Sequence, residues 1–375
     1  MPEEVLILGG GVAGCAASIA LARKGHRVTL IEREPTPRHK VCGEFLSGEA
    51  LEDLHALGID AASLGAVPIH HVRLAAARRA AEAPLPFPAA SLTRKALDTA
   101  LLAAAVDAGV NVETGRSVQS LTRTPNNLWQ AALDDNTTRE APTAFLATGK
   151  HDLRGHHRPD DPHKWIAFKM YYRLSPEQTA DLAGASELML YPGGYGGIQP
   201  VEGNIANLCC VVQHKHLPTG ANRWANFLAK MQQDVPHLAM RLHRAEPLLD
   251  KPLAITHIPY GYLRRSTEPG LYCIGDQAAV IPSFTGDGIS IALHTARMAV
   301  SAHLAAEPAP LFQPKLRAAM LNQMRLAEIA ANGLNNSVAR AILPTCLRIW
   351  PGVMRVTAKL TRVTQPDPTP HPIAG

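Results

Sequence analysis

Val5-Leu6-Ile7-Leu8-Gly9-Gly10-Gly11-Val12-Ala13-Gly14 decides the fold of this chain. Four apolar residues with strand preference run straight into glycines at positions 9, 11 and 14, and Cys15 to Lys24 then reads as a helix. Each glycine has a task. Gly9 permits a tight turn, Gly11 lets backbone approach a pyrophosphate, and Gly14 lets the helix pack closely on the strand, its N-terminus facing the phosphates. A second strand, Arg27 to Ile31, ends in Glu32, eighteen residues beyond Gly14, where a carboxylate can accept from both ribose hydroxyls. Arg33, next in the chain, joins the candidate contacts. One dinucleotide site is expected, and FAD and NAD share this fingerprint.

Composition sets the frame around that site. The 375 residues carry 37 Lys+Arg against 32 Asp+Glu, a net charge of +5, and 46% apolar side chains, as expected of an enzyme-sized globular chain of two domains. No run approaches the ~18–20 apolar residues of a membrane helix. The acidic start Met-Pro-Glu-Glu lacks the basic segment of a secretion signal, so a cytoplasmic chain is expected. Cys15, Cys42, Cys209, Cys210, Cys273 and Cys346 have no framework spacing and are expected as reduced thiols. The small, dispersed positive charge gives no reason to expect a nucleic-acid partner.

Two further strands end in small polar turns. Leu271-Tyr272-Cys273-Ile274 runs into Gly275-Asp276, followed by Pro282 and by Gly286-Asp287-Gly288, which open a long helix through Ala305; Ala144 to Ala147 ends in Thr148-Gly149. On these motifs the chain resembles the FAD-binding superfamily of p-hydroxybenzoate hydroxylase, and within it the geranylgeranyl reductase-like branch. The resemblance covers most of residues 1–310 and implies FAD as cofactor. It implies that Gly275 and Asp276 hold the ribityl chain and that Pro282 through Gly286, Asp287 and Gly288 lie beside the isoalloxazine. It further implies that Arg94, in Arg94-Lys95-Ala96-Leu97-Asp98, contacts FAD, that Lys40-Val41-Cys42-Gly43-Glu44 lies near the flavin, and that Val118 offers a backbone contact to adenine. Independently, a helix N-terminus at Gly286–Gly288 would stabilise negative charge on the reduced ring.

The fold expected from these pieces is α/β, α+β overall: a Rossmann-like FAD-binding domain with a central parallel sheet, an antiparallel-sheet substrate domain, and C-terminal helices. The boundaries fall at 1–163 plus 266–310 for the FAD domain, 164–265 for the substrate domain, 311–365 for the helices and 366–375 for a tail. Within the first domain, His71 to Leu85 reads as two strands, Pro84 to Pro88 as a break, 93–108 as a helix and 117–141 as a small meander. Four histidines between His151 and His163 lie in a polar linker, and no metal site is expected. No second Gly-x-Gly-x-x-Gly exists, so NAD(P)H would visit only transiently as electron donor.

Pro192-Gly193-Gly194-Tyr195-Gly196-Gly197-Ile198-Gln199-Pro200 resembles the reductases' Pro-x-x-Tyr-x-Trp-x-Phe-Pro motif, with Gly197 and Gln199 in place of the two aromatic residues. That change opens the pocket and adds an amide suited to an oxygenated substrate. Cys42, Tyr195 and Gln199 are the candidate catalytic residues; Cys42 could give a proton to carbon, and Tyr195 could orient a phenol. Two reactions on a hydrophobic small molecule follow. The favoured one is NAD(P)H-driven hydroxylation of an alkyl-aromatic or polyketide-like substrate through a flavin C4a-hydroperoxide; the alternative is reduction of an isoprenoid or lipid C=C bond. A flavin-binding module without catalysis is a third class. Over 334–363, Arg340, Arg348, Arg355, Lys359 and Arg362 interleave with apolar residues, a pattern suited equally to peripheral contact with anionic membranes and to helices packed on the FAD domain with a solvated basic face. The oligomeric state is not legible.

Overall fold

A computed structural model describes residues 3–159, 161, 164–336, 340, 343 and 345. The opening apolar run forms β1 (Glu4–Leu8) and the glycines lead into α1 (Val12–Arg23); β2 (Arg27–Glu32), β3 (Phe45–Ser47) and α2 (Gly48–Ala56) follow. The hairpin of β4 (Val67–Ala76) and β5 (Arg79–Ser91) precedes α3 (Arg94–Asp107) and β6 (Asn111–Thr114). The expected meander is β7 (Val118–Arg123), β8 (Trp129–Leu133) and β9 (Thr138–Ala141), after which β10 (Thr143–Leu146) returns to the first sheet.

Next come β11 (Trp165–Arg173), α4 (Pro176–Leu182), β12 (Ala185–Tyr191), β13 (Gly194–Val201), β14 (Ile205–Gln213), α5 (Arg223–Asp234), α6 (Pro236–Arg241), β15 (Glu246–Pro247) and β16 (Leu253–Thr256). The chain closes with β17 (Tyr262–Leu263), β18 (Leu271–Cys273), β19 (Ala279–Val280), α7 (Gly288–Leu304) and α8 (Ala309–Asn335).

Two sheets organise the molecule. The first, in the order β18-β10-β1-β2-β6, is parallel throughout, with α1 and α7 packed on it around Val5, Ile7, Leu30, Ile274 and Ala296, all fully buried. Parallel strands buried on both faces need unbroken apolar runs, and Val5 to Leu8 is one. The second sheet has nine strands in the order β15-β11-β14-β13-β12-β4-β5-β3, with β16 also on β11. It is antiparallel except where β12 meets β4. Residues 164–265 supply six of its strands, and β3, β4 and β5 extend it into the N-terminal part of the chain. The strands alternate cleanly: Met170, Leu208, Cys210 and Ile198 pack under α5 and α6, while the opposite face meets the nucleotide-binding half.

Pro84 to Pro88 departs from expectation, because β5 runs through it without a break. Prolines at 84, 86 and 88 alternate, so their missing N–H groups all fall on the same edge, and the ladder to β4 carries a register shift between Ile69 and His71. The five described cysteines are free thiols, and Cys346 lies outside the described residues. Among the described residues, no helix is long and apolar enough to cross a membrane. Most of the basic stretch 334–363 lies outside the description, although Leu343 packs against the cluster of Leu74, Tyr195 and Val211.

Candidate active site

Steric need for the glycines is explicit at the mouth of β1. A Cβ on Gly14 would lie 1.8 Å from the carbonyl oxygen of Gly9, and one on Gly9, at φ +112°, would lie 2.5 Å from the Ala147 carbonyl. Gly11 is different. Its nearest obstacle is Arg94 Nη2 at 3.7 Å, so the glycine leaves a cradle for a ligand and not merely a tight packing joint. Glu32 is already aimed: its Oε2 accepts from Gly10 N at 2.6 Å and its Oε1 from Glu34 N at 3.0 Å.

These residues line a cavity of about 430 Å³. Gly9, Gly11, Glu32, Arg33, Lys40, Arg94, Val118 and Asp276 all reach it, so eight of the sequence-read cofactor residues converge there from six separated stretches of the chain. Arg33 Nη2 lies 2.7 Å from His151 Nε2. The main-chain carbonyl of Asp276 accepts from Arg158 Nη1 at 3.0 Å. Gly14 and Gly275 sit behind the wall: Gly14 seats the helix, and Gly275, at φ +58°, faces Ala13 and donates its N–H to Thr295 Oγ1 at 2.8 Å. The cradle at Gly11, the oriented carboxylate and the long cavity between them fit a dinucleotide. Gly11 and the start of α1 would hold the pyrophosphate, Glu32 the adenosine ribose and Val118 the adenine edge.

Arg94 is held with care. Its Nε and Nη2 donate to the two oxygens of Asp98 at 2.9 and 3.0 Å, and Lys40 Nζ adds a third bond to Asp98 at 2.8 Å. Burial alone would lower the Arg94 pKa, but Asp98 and the hydrogen-bonded Cys42 side chain outweigh it and raise it, so the guanidinium stays charged. The same two cations hold the Asp98 carboxyl below its usual range against the effect of burial. Thr93 caps the helix, accepting from Ala96 N at 3.2 Å.

Cys42, half-buried, borders the cavity through its neighbours Lys40 and Val41. Its loop is pinned from the sheet. Asn207 Nδ2 donates to the carbonyls of Cys42 and Gly43 at 3.2 and 2.9 Å, and Gln199 Nε2 donates to Gly43 at 2.9 Å while Gln199 Oε1 accepts from Ser186. Glu44, at φ +65° and fully buried, accepts on Oε1 from Arg94 N and Tyr171 Oη at 2.7 Å each and pairs with the equally buried Lys169 Nζ at 2.5 Å. Tyr171 Oη also lies 3.0 Å from His39 Nδ1, a residue of the cavity wall. Burial raises the Glu44 pKa, and Lys169 opposes that only in part. Sequence reading missed Lys169 and Glu44 as a pair, though a lone lysine inside Trp165-Ile-Ala-Phe-Lys-Met-Tyr-Tyr is itself a sign of a buried partner.

Above this loop the middle of the second sheet is partly covered. Leu188, Gly197 and Cys209 are neighbours across three strands and stay partly accessible, whereas Glu187, Met189, Gly196, Ile198, Leu208 and Cys210 beside them are buried. A Cβ on Gly197 would meet nothing closer than 3.7 Å. Tyr195 stands at the end of this patch against the Pro282 loop, its Oη 2.9 Å from Ser283 Oγ, to which Tyr260 Oη also comes within 2.8 Å. Burial raises the Tyr195 pKa, so the phenol stays protonated at neutral pH. Gly286, at φ +75°, lets the same loop close on Phe45, where a Cβ would lie 2.9 Å from the ring. Asp287 is buried and Gly288 begins α7. Cys42, Tyr195, Gln199, Pro282, Gly286, Asp287 and Gly288 are not among the residues lining that cavity.

Residues 3–144 match the FAD binding domain family. The menaquinone reductase of Mycolicibacterium smegmatis is 27% identical over 313 residues, spanning 79% of this chain and 75% of that one. The squalene epoxidase of Schizosaccharomyces pombe is 36% identical over 56 residues, 15% of this chain and 12% of that one, a match confined to a short segment. Among solved structures, the flavin-dependent brominase Bmp2 superposes with a TM-score of 0.78 at 18% identity, covering 96% of this chain and 93% of the other. A flavoprotein/dehydrogenase from Cytophaga hutchinsonii gives 0.76 at 17% identity, covering 95% and 92%. At these identities the structural likeness speaks for the fold. The cofactor is FAD, and the fold is that of Rossmann-type flavoenzymes with a second, sheet-based domain.

Proposed function

We propose that this FAD-dependent oxidoreductase reduces a carbon–carbon double bond in a hydrophobic small molecule, with Cys42 as proton donor. The observation that carries the reading is the partly accessible patch of Leu188, Gly197 and Cys209, whose strand neighbours Gln199 and Asn207 reach from the same sheet face to the Cys42 loop. An apolar substrate fits such a floor, and few polar groups are needed to orient it. Reduced FAD supplies a hydride equivalent, and NAD(P)H visiting transiently is the donor this reading requires. With the cofactor bound, one alkene carbon would take its hydride equivalent, Cys42 Sγ–H would give its proton to the other, and solvent would reprotonate the sulfur beside the charged Arg94. Cys209, whose pKa burial pushes up to about 11, stays a thiol in the patch. Similarity to a menaquinone reductase over most of both chains supports reduction, as does the likeness of Lys40 to Glu44 to the geranylgeranyl reductase-like branch.

Hydroxylation of a phenolic or polyketide-like substrate is the second reading. The hydroxyl cluster of Tyr195, Tyr260 and Ser283 favours it, since those groups could receive a phenol. The Gln199 amide lends it less than the sequence suggests, because both its ends are engaged by Gly43 and Ser186. An anaerobic single turnover separates the two. Photoreduced enzyme mixed anaerobically with a polyprenyl quinone should reoxidise and yield a product saturated in its side chain, whereas an alkylresorcinol-type phenol should be left unchanged. Reoxidation and product only after oxygen is admitted would overturn the reductase reading in favour of the hydroxylase.

A further inference from the structure

We propose that Glu3, His26 and His303 form a binding site for a divalent transition-metal ion of the zinc class, at the end of the parallel sheet opposite the flavin cleft. The topology brings the three together. Glu3 precedes β1, His26 precedes β2, and His303 lies in the last turn of α7, whose start at Gly288 is about 22 Å away at ~1.5 Å per residue. One ligand atom from each side chain lies within 4.8 Å of the other two.

Two imidazole nitrogens there are poised and unused. His303 is 8% exposed at its side chain, and its Nε2 is buried without a hydrogen-bond partner; His26 Nδ1 is likewise buried and unpartnered. A buried nitrogen left without a donor or acceptor is costly, and a metal ion would satisfy both. His303 is fixed in a slot of rings, its centroid 6.1 Å from Phe145, 5.8 Å from Tyr272 and 5.1 Å from His26. Glu3 is oriented by an outer contact, Thr143 Oγ1 donating to Oε1 at 2.8 Å, which leaves Oε2 3.9 Å from His303 Nε2.

Two imidazoles and a carboxylate are a zinc donor set with a fourth position left for water. Bonds of ~2.1 Å at tetrahedral angles place ligand atoms ~3.4 Å apart, so separations that reach up to 4.8 Å here must close by at most about 1.4 Å. Glu3, 41% exposed, has the freedom to swing inward. Occupancy would tie the start of the chain to β2 and to the end of α7, far from the catalytic face.

Equilibrium dialysis of the tag-free, chelator-stripped flavoprotein against Zn²⁺, with elemental analysis, tests the assignment. One equivalent should bind and raise the melting temperature, reversibly on chelation, and His303→Ala and His26→Gln should each weaken binding at least tenfold with the flavin spectrum unchanged. A His156→Gln/His157→Gln variant in the histidine-rich linker should keep the equivalent. Absence of a bound equivalent in the wild type would overturn the proposal, as would retention in the first two variants with loss in the third. Should either single variant fail to fold, Glu3→Gln supplies the same comparison from an exposed position.

Discussion

Gln199 Nε2 donates to the carbonyl oxygen of Gly43 at 2.9 Å across the boundary between the sheet and the nucleotide-binding half. That single bond, together with the two from Asn207, fixes the loop carrying Cys42 against the partly accessible patch of the sheet. Replacing Gln199 with Leu leaves the Gly43 carbonyl with one partner and the Ser186 hydroxyl without its acceptor. The expected loss is about 1–2 kcal/mol in urea unfolding, with a fall in kcat larger than the change in KM because the Cys42 loop then rests on the Asn207 bonds alone. Unchanged kcat with the same loss of stability would show that the loop's position is irrelevant to the reaction.

The cradle at the first glycines makes a sharper demand. Gly14→Ala places a methyl 1.8 Å from the Gly9 oxygen, an overlap only backbone movement can relieve, so α1 must leave β1 and the pyrophosphate seat with it. The purified variant should be colourless or insoluble. Glu32→Ala keeps the backbone and removes only the carboxylate that Gly10 and Glu34 hold in position. It should fold yet retain flavin at least tenfold more weakly, read by absorbance of the retained cofactor after dialysis.

How far these contacts were legible depends on their range. The glycine fingerprint, Glu32, and the Gly275-Asp276 turn are local patterns whose backbone demands are written in a few adjacent residues, and Gly9, Gly11, Glu32 and Asp276 from them converge on one cavity. Gln199 was equally visible, but its partners were not, since nothing local says that an amide 156 residues away from Gly43 will be spent on that carbonyl. The recruitment of β3, β4 and β5 into the second sheet failed to show for the same reason. Pro84, Pro86 and Pro88 pointed to a break because proline forbids a central ladder; their alternation, which spares one edge, was the overlooked signal.

Glu187 gives the fold a defined acid limit. It is fully buried on the covered face of β12, where it accepts from His237 Nε2 at 3.0 Å and from Arg241 Nη2 at 2.6 Å, and pairs with Arg73. Burial alone would raise its pKa, but His237 and Arg241 outweigh that and hold it at about 2, from an ordinary value of 4.5. A folded pKa below the unfolded one contributes stability that is complete above pH ~4.5 and is lost as pH falls toward ~2. Its magnitude is about 3 kcal/mol. Glu187→Gln should be less stable than wild type by about that amount at pH 7, with the two curves drawing together below pH ~4.5 and meeting near pH ~2 in urea titrations. Parallel curves across the whole range would assign the acid limit to other groups.

Lys169 and Glu44 test whether charge at the domain junction is matched or merely tolerated. Both side chains are fully buried, 2.5 Å apart, and Glu44 Oε2 has no hydrogen-bond partner. Removing either partner strands the other in a low-dielectric pocket, so Lys169→Met and Glu44→Gln should each cost about 3–5 kcal/mol. The double variant strands nothing. Its loss should fall short of the sum of the single losses by 2 kcal/mol or more in a double-mutant cycle read by urea unfolding. Because Glu44 also accepts from Arg94 N and Tyr171 Oη, Glu44→Gln, which keeps an acceptor oxygen there, should hold flavin better than Glu44→Ala. Simple additivity in the cycle would mean the two charges stabilise the junction independently, each through its other neighbours, and that the short contact between them contributes no coupling.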